Sequence, residues 1–242
     1  MKTIFYYAYV GDSSTPVDDI QWRLQYINDQ MAFISTLAKK NNICSMFVVA
    51  TIPEEYDSAF IKIATQHNFC LYTKLTSREN CYEYPGFAAI RDFAESAHPE
   101  HLIYYCHSKG SVNISERARG VFKYHQVVNI NANVTKILEI EKDFIKAGLY
   151  PSKTGFLWHN FFWIKAGYLK TKTIKKSSNR YYYESLIEDN EEGYKSVLCT
   201  LFIKPPREDF EILDYFKSSD ILGKTALDII YNEHITIDAC EN

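Results

Sequence analysis

The chain has 242 residues, 46% of them hydrophobic, and a formal net charge of −3. This length suits one sizeable domain, and the hydrophobic content is enough for a large core. The small negative charge argues against the basic surface by which proteins bind nucleic acid, so we predict no nucleic-acid partner.

The first half of the chain alternates strand-like and helical patterns. Apolar residues recur every three or four positions from Ile20 to Leu37, which is typical of one helix face. The predicted strands are Thr3–Val10, Ile43–Thr51, Phe69–Thr73 and Leu102–His107, and the predicted helices start near Asp18, Glu54 and Gly86. This alternation predicts an α/β fold with a mostly parallel sheet flanked by helices.

The second half of the chain is less regular. We expect residues Ser115–Lys146 to be mainly helical and Gly148–Trp158 to be extended. An apolar run at Phe161–Ile164 and a strand-like run at Tyr194–Ile203 follow, and Pro205 and Pro206 stop the strand-like run. We therefore predict one domain over residues 1–205, with a short C-terminal helical extension packed on it over residues 206–242.

The stretch LIYYCHSKGS, residues 102–111, is an apolar run that ends in polar residues and a glycine. Ligands of open α/β sheets bind at the carboxyl ends of the strands, where this turn is expected to lie. Lys109 offers a point charge, His107 a second donor, and Gly110 a close backbone approach, all of which suit a phosphate. The alternative is an ordinary strand end with a solvated lysine.

Three further segments lie before and after this turn in the sequence. PGFAAIRD, residues 85–92, precedes the turn, and WHNFFW at 158–163 with RYYYE at 180–184 follows it. In this order the segments resemble the helix motif G-x-x-x-A-R-N, the D-x-D strand end, and the H-x-x-G-N-F-W-W and R-Y-x-x-E segments of small GT-A glycosyltransferases. The resemblance covers roughly residues 3–203 and implies a GT-A-like, Rossmann-like fold.

The resemblance implies contacts to a nucleotide-sugar donor. The expected donor-contact residues are Tyr9, Gly86, Arg91, Asp92, Ser108 and Gly110. Tyr9 is a candidate for stacking on the base, with strand packing as its alternative. The alternative for Arg91 is an exposed helix arginine paired with Asp92 or Glu95.

His107, Ser108 and Lys109 stand where the family carries D-x-D, whose carboxylates hold a divalent ion. We therefore expect no cofactor and a metal-independent reaction, in which Lys109 and His107 stabilise the charge of the leaving diphosphate. A lone metal ligand is the alternative role for His107.

The same resemblance places the catalytic base of an inverting reaction at Glu184, which would take the proton of the acceptor hydroxyl. Glu188 and Asp189 are competing candidates. The expected acceptor-binding residues are His159, Asn160, Trp163 and Arg180, and Trp163 is equally interpretable as core. The family's glycine between His159 and Asn160 is missing here.

Two functions of different classes remain. The first is a glycosyltransferase acting on a glycan or another hydroxyl acceptor, and the second is a non-catalytic nucleotide-sugar or glycan-binding protein. The six cysteines lack C-x-x-C spacing, which favours a reducing compartment. No apolar run reaches the roughly 20 residues of a membrane span, so we expect a cytoplasmic protein.

Overall fold

A computed structural model describes residues 1–76, 81–108, 116–149, 151–152, 154–179, 182–189 and 193–200. Its strands are β1 Lys2–Tyr9, β2 Ser45–Thr51, β3 Cys70–Leu75, β4 Leu102–His107, β5 Lys146–Gly148, β6 Phe162–Lys165 and β7 Val197–Cys199. Its α-helices are α1 Val17–Lys40, α2 Asp57–Gln66, α3 Tyr84–Ser96, α4 Glu116–Asn129, α5 Ala132–Ile140, α6 Ala166–Leu169 and α7 Tyr182–Ser185. Single 3-10 turns lie at Glu54–Tyr56, Trp158–Asn160 and Gly193–Ser196.

The strands of the described residues form one sheet in the order β3-β2-β1-β4-β6-β5-β7. The first four are mutually parallel, with Phe5 of β1 opposite both Phe47 of β2 and Tyr105 of β4. Strand β6 runs antiparallel to its neighbours β4 and β5, and β7 is parallel to β5. The predicted α/β class, with a mostly parallel sheet flanked by helices, is therefore confirmed.

Each face of the sheet carries its own hydrophobic core, because successive side chains of a strand point to opposite sides. Ile4 and Tyr6 of β1 face one side, where residues of α1, α2 and α5 cover them. Phe5 and Tyr7 face the other side, under α3, α6 and α7. The described residues thus form a sheet between two helical layers, and the helices that adjoin the candidate site lie on the second face.

The second half differs from its sequence-based prediction in three places. The helix expected over Ser115–Lys146 is broken, because the Asn131 side chain accepts the backbone N–H of Asn133 at 2.8 Å and starts α5 anew. Lys146 belongs to a strand instead. The strand expected from Tyr194 begins only at Val197, after a 3-10 turn, and the predicted C-terminal extension over 206–242 lies outside the described residues.

The residues that the structure describes all belong to one compact unit, Met1–Pro206. None of their helices is long and apolar enough to cross a bilayer.

Candidate functional site

The carboxyl ends of β1 and β4 are joined by two hydrogen bonds at Ser108. Its backbone N–H donates to the Tyr7 carbonyl at 2.8 Å, and its hydroxyl accepts the backbone N–H of Tyr9 at 2.9 Å. These two hydrogen bonds continue the parallel ladder by one residue beyond the end of β4, and Ser108 is buried there. The predicted donor contacts Tyr9 and Ser108 therefore meet at one sheet edge.

His107, the last residue of β4, is held in a defined orientation. Its Nε2 lies 3.0 Å from the His159 carbonyl oxygen, and its ring stacks on Phe161 with the centroids 5.0 Å apart. A carbonyl oxygen only accepts, so Nε2 must carry the proton in this contact. The neutral ring then has its lone pair on Nδ1, and only the imidazolium donates from both nitrogens.

Glu83 joins this site although the sequence analysis did not single it out. It stands at the N-cap of α3, where the helix dipole favours a carboxylate. One oxygen lies 3.7 Å from His107 Nε2, and the other accepts the Asn160 side-chain amide at 2.9 Å. An acidic residue just ahead of the predicted helix start was the available signal.

The turn at His159 and Asn160 has a strained backbone. Both residues are left-handed, with φ of 69° and 52°, where the family pattern would supply one glycine. Such a conformation costs a non-glycine residue about 1–3 kcal/mol. Asn160 is fully buried, and its Oδ1 has no hydrogen-bond partner within the described structure. An unmet buried acceptor beside a strained turn is typical of a functional site rather than of a packed core.

Trp163 is a core residue in this structure, which is the alternative to an acceptor floor that the sequence left open. The side chain is 0% exposed, and its indole N–H donates to the Asn129 carbonyl at 2.7 Å. Strand β6 alternates, so Trp163 points to the α4 side of the sheet, against Tyr104. A fully buried ring offers no face to a sugar.

The α3 residues of the predicted donor motif are spread along the helix. Gly86 is in close contact with the sheet, since a Cβ there would meet Tyr105 Oη at 2.5 Å and Tyr7 Cβ at 2.9 Å. Asp92 accepts the Tyr72 hydroxyl at 2.6 Å, on the edge strand β3, three strands away from His107. The structure therefore does not bring Asp92 together with the strand ends of β1 and β4.

Arg91 links α3 to the loop that follows α6. Its Nε donates to the Lys172 carbonyl at 2.8 Å, and it pairs with Glu95 one turn along the helix. This pairing with Glu95 is one of the two that the sequence left open.

Asp92, with Tyr72 and Tyr84, lines a groove of about 310 Å³ between β3 and α3.

The loop after β1 adds a second polar group beside Tyr9. The Tyr9 hydroxyl donates to Asp12 at 2.9 Å, and the Arg23 guanidinium lies 5.5 Å from the ring centroid. Burial alone would raise the pKa of Asp12, but hydrogen bonds from Ser14, Tyr9 and Thr15 outweigh it and hold that pKa below its ordinary value. Asp12 is thus a fixed negative charge at the end of β1.

Helix α7 carries Glu184, and its backbone packs against the turn Trp158–Asn160. Tyr183 anchors this helix, because it is fully buried and stacks on Phe87 with the centroids 5.9 Å apart. The side chain of Glu184 lies outside the described part of the structure, as do Lys109, Gly110 and Arg180.

The structure separates the two competing carboxylates. Asp189 pairs with Lys146 at 2.9 Å and with Lys172 at 3.4 Å, and it accepts the Tyr168 hydroxyl. These contacts outweigh burial and lower the pKa of Asp189, so this carboxylate is a poor proton acceptor. Glu188 accepts a weak hydrogen bond from the Thr154 hydroxyl at 3.3 Å.

At the position of the family's metal-binding carboxylates this chain carries His107, Ser108 and Lys109 instead. The His107 Nε2 proton and the Ser108 hydroxyl are both committed to backbone groups. Among the described residues, no three His, Cys, Asp or Glu side chains converge as a metal site requires. Lys109 lies outside those residues, so metal independence stays a prediction.

No protein-family model matches the chain, and no curated protein matches it. Among solved structures, the chain is similar to that of a cytidylyltransferase from Leptospira borgpetersenii serovar Hardjo-bovis (strain JB197). The TM-score is 0.49, with 13% sequence identity, over 98% of this chain and 95% of that chain. A likeness this remote says nothing of activity, so the function has to be inferred from the site.

Proposed function

We propose that this chain is a glycosyltransferase that moves a sugar from a nucleotide-sugar donor to a glycan or other hydroxyl acceptor, with inversion and without a metal ion. One observation carries the proposal: the cluster of Glu83, His107 and Asn160 at the joined carboxyl ends of β1 and β4. Helix α7, which bears the candidate base, packs against the turn that completes this cluster.

The donor side of the reaction needs positive charge. When the glycosidic bond breaks, its electron pair leaves with the nucleoside diphosphate, and fixed donors that await this charge lower the barrier. Lys109 follows directly on the buried Ser108 and supplies an ammonium. The imidazolium form of His107 supplies a second cation, and the Glu83 carboxylate 3.7 Å from Nε2 stabilises that form.

The acceptor side needs a base. The acceptor oxygen attacks the anomeric carbon on the face opposite the leaving group, while a carboxylate takes the hydroxyl proton. Glu184 is the proposed base, because α7 adjoins the His159–Asn160 turn. Asp189 is unsuitable, since it already serves as partner to Lys146 and Lys172.

Asn160 supports the proposed site through its contact with Glu83. Asn160 donates its amide to Glu83, which leaves Oδ1 without a described hydrogen-bond partner. Because Asn160 is fully buried, its role in the proposed site is to hold the Glu83 carboxylate beside His107.

The decisive experiment is a thermal-shift screen of the full chain against nucleoside diphosphates and nucleotide sugars, with EDTA and again with manganese. A ligand at about 100 times its Kd adds about 2.7 kcal/mol of stability, which is easily measured. Stabilisation in EDTA by a nucleotide sugar, followed by transfer to a hydroxyl acceptor, is the expected result. If no nucleotide stabilises the protein, the proposed function is wrong.

Two other outcomes point elsewhere. Binding without hydrolysis or transfer identifies a non-catalytic nucleotide-sugar-binding protein, and stabilisation only with manganese overturns the metal-free mechanism. Lys109→Ala should lower turnover at saturating donor, by about 2–4 kcal/mol of transition-state stabilisation if it resembles a lost oxyanion donor. Lys142→Ala is the matched control, because Lys142 is exposed and pairs only with Glu100 among the described contacts.

A further inference from the structure

A buried lysine holds the segment that follows α7. Lys146 lies on β5 with its side chain 0% exposed, and its Nζ donates to the Ile187 carbonyl and to Asp189. The Tyr168 hydroxyl lies 3.3 Å from the same nitrogen. A buried ammonium without hydrogen bonds would be very costly, so each of these contacts matters to the local structure.

The same segment is held from two further directions. Lys172 donates to the Glu188 carbonyl at 2.6 Å and stands 4.7 Å from the Tyr168 ring centroid. The Asp189 backbone N–H donates to the Thr154 carbonyl at 2.7 Å. Residues 187–189 are thus tied to β5, to the loop after α6 and to the loop at Thr154.

The segment leads directly back to Glu184. The Glu188 N–H donates to the Ser185 carbonyl at 3.0 Å, so the end of α7 is continuous with the tied residues. Tyr183 anchors the other side of this short helix in the core. A helix of four residues has no stability of its own, and its position depends on these two attachments.

We propose that Lys146 is a positioning residue, which holds α7 and the candidate base Glu184 against the His159–Asn160 turn through its contacts with Ile187 and Asp189. The role of Glu184 rests on the proposed function, whereas the attachment of the segment does not. Lys146 itself is too buried to touch a substrate. We call residues 187–189 and their contacts to Lys146 the Lys146 latch.

The latch has a pH dependence whose sign follows from its surroundings. The charged groups that face Lys146 are Asp189 and Glu188 from the segment and Lys172 from the loop after α6. The neutral Tyr168 phenol lies beside them. Burial lowers the pKa of Lys146 to about 8, although Asp189 opposes this shift. When the segment opens, Nζ contacts water and its pKa returns toward the ordinary value. The open state then binds more protons, so low pH favours opening, and a rise in pH above 8 favours the closed segment.

Amide hydrogen exchange of the full chain tests this inference without any substrate. The reporters are the amides of Glu188 and Asp189, and the β1 amides monitor the fold. In the wild type we expect protection at the reporters, corrected for intrinsic exchange, to rise about tenfold or more between pH 7 and pH 9.5. In Lys146→Met we expect protection that does not change with pH and that is lower than in the wild type at pH 9. The reason is that the neutral amine of lysine still donates two hydrogen bonds, whereas a thioether donates none.

Two more variants keep the test decisive. Lys142→Met should behave as the wild type, since Lys142 is exposed on the neighbouring loop. Asp189→Asn should move the midpoint of the rise in protection to lower pH, because the lost carboxylate no longer stabilises the charged lysine. This variant tests the inference if Lys146→Met fails to fold.

Protection that does not change with pH in the wild type, or that survives in Lys146→Met at pH 9, overturns the inference. If the thermal-shift screen finds a donor, Lys146→Met should lower kcat while leaving the donor Kd within about twofold of the wild type. An equal loss in donor affinity would contradict a positioning role. If no donor is found but the exchange results hold, the latch stands and the proposed function fails.

Discussion

The His107 ring is oriented by the backbone of His159, through a 3.0 Å contact between Nε2 and the carbonyl oxygen. The side chain of His159 is not needed for this contact, but its left-handed backbone is. The geometry of the candidate site therefore depends on a residue conformation that a glycine adopts at little cost.

Replacement of His159 by glycine and by alanine separates backbone from side chain. Both variants lose the edge contact with His125. Their difference therefore reports the strain of the left-handed backbone, reduced by the larger entropy that glycine has in the unfolded chain. His159→Gly should be more stable than His159→Ala by about 1 kcal/mol, measured by urea unfolding. Equal stability of the two variants would contradict the positive φ at this position.

Gly86→Ala tests the close approach of α3 to the sheet. The new methyl would meet the Tyr105 hydroxyl and Tyr7, and overpacking of this kind lowers the free energy of unfolding by about 1–3 kcal/mol. Adding Tyr105→Phe should recover part of the loss, because it removes the atom that comes nearest. Gly167→Ala, whose nearest contacts are at 3.0 Å and beyond, is the control and should cost less.

Trp163→Phe tests the reassignment of this residue to the core. The Asn129 carbonyl loses its donor and a gap is left, so the free energy of unfolding should fall by about 1–3 kcal/mol. Affinity for any ligand that stabilises the protein should stay unchanged by calorimetry. Trp22→Phe on α1 should cost less, as Trp22 is only partly buried. A selective loss of acceptor affinity in Trp163→Phe would restore the acceptor-floor interpretation.

The free energy of unfolding should depend on pH through Lys146. Its pKa is about 8 in the folded chain and 10.5 when free, so the unfolded chain binds more protons between these values. The penalty of burying the charge is complete below pH 8 and disappears as the pH rises toward 10.5. The free energy of unfolding of the wild type, taken relative to that of Lys146→Met, should therefore be about 2 kcal/mol higher at pH 9.5 than below pH 8.

Urea titrations of both proteins at several pH values measure this difference. Taking it between the two proteins cancels the contributions of buried tyrosines and cysteines. Asp189 stays ionised throughout the range and adds no slope. A difference that is constant with pH would show that Lys146 keeps an ordinary pKa.

Glu184→Gln should retain the fold and the donor affinity but lose transfer by roughly 10²–10⁴ in rate, because glutamine cannot take a proton. Sugar transfer and donor affinity are measured on one preparation. Glu188→Gln is the matched control and should keep its rate. Transfer that survives in Glu184→Gln but not in Glu188→Gln would move the base to Glu188, and survival in both would exclude an inverting base in this segment.

The parallel half of the fold, and the end of the sheet at which the candidate site lies, could be predicted from the amino-acid sequence. Hydrophobic periodicity and strand-helix alternation are local signals, and they predicted β1 to β4 and the polar strand end at His107. They did not predict the antiparallel β6 or the break at Asn131, where a side-chain cap overrides the apolar pattern.

Which side chains come into contact depends on the packing of elements that are distant in the sequence. Glu83 and Asn160 are 77 residues apart and form a hydrogen bond because the start of α3 lies beside the turn that precedes β6. Asp92 lies further along α3 and contacts Tyr72 instead. The alternation of side chains along β6 places Trp163 in the core. The buried Lys146 pairs with Asp189, which makes this carboxylate unsuitable as a base. Propensity and periodicity act over a few residues, whereas these contacts depend on how distant elements pack, and no local pattern encodes that.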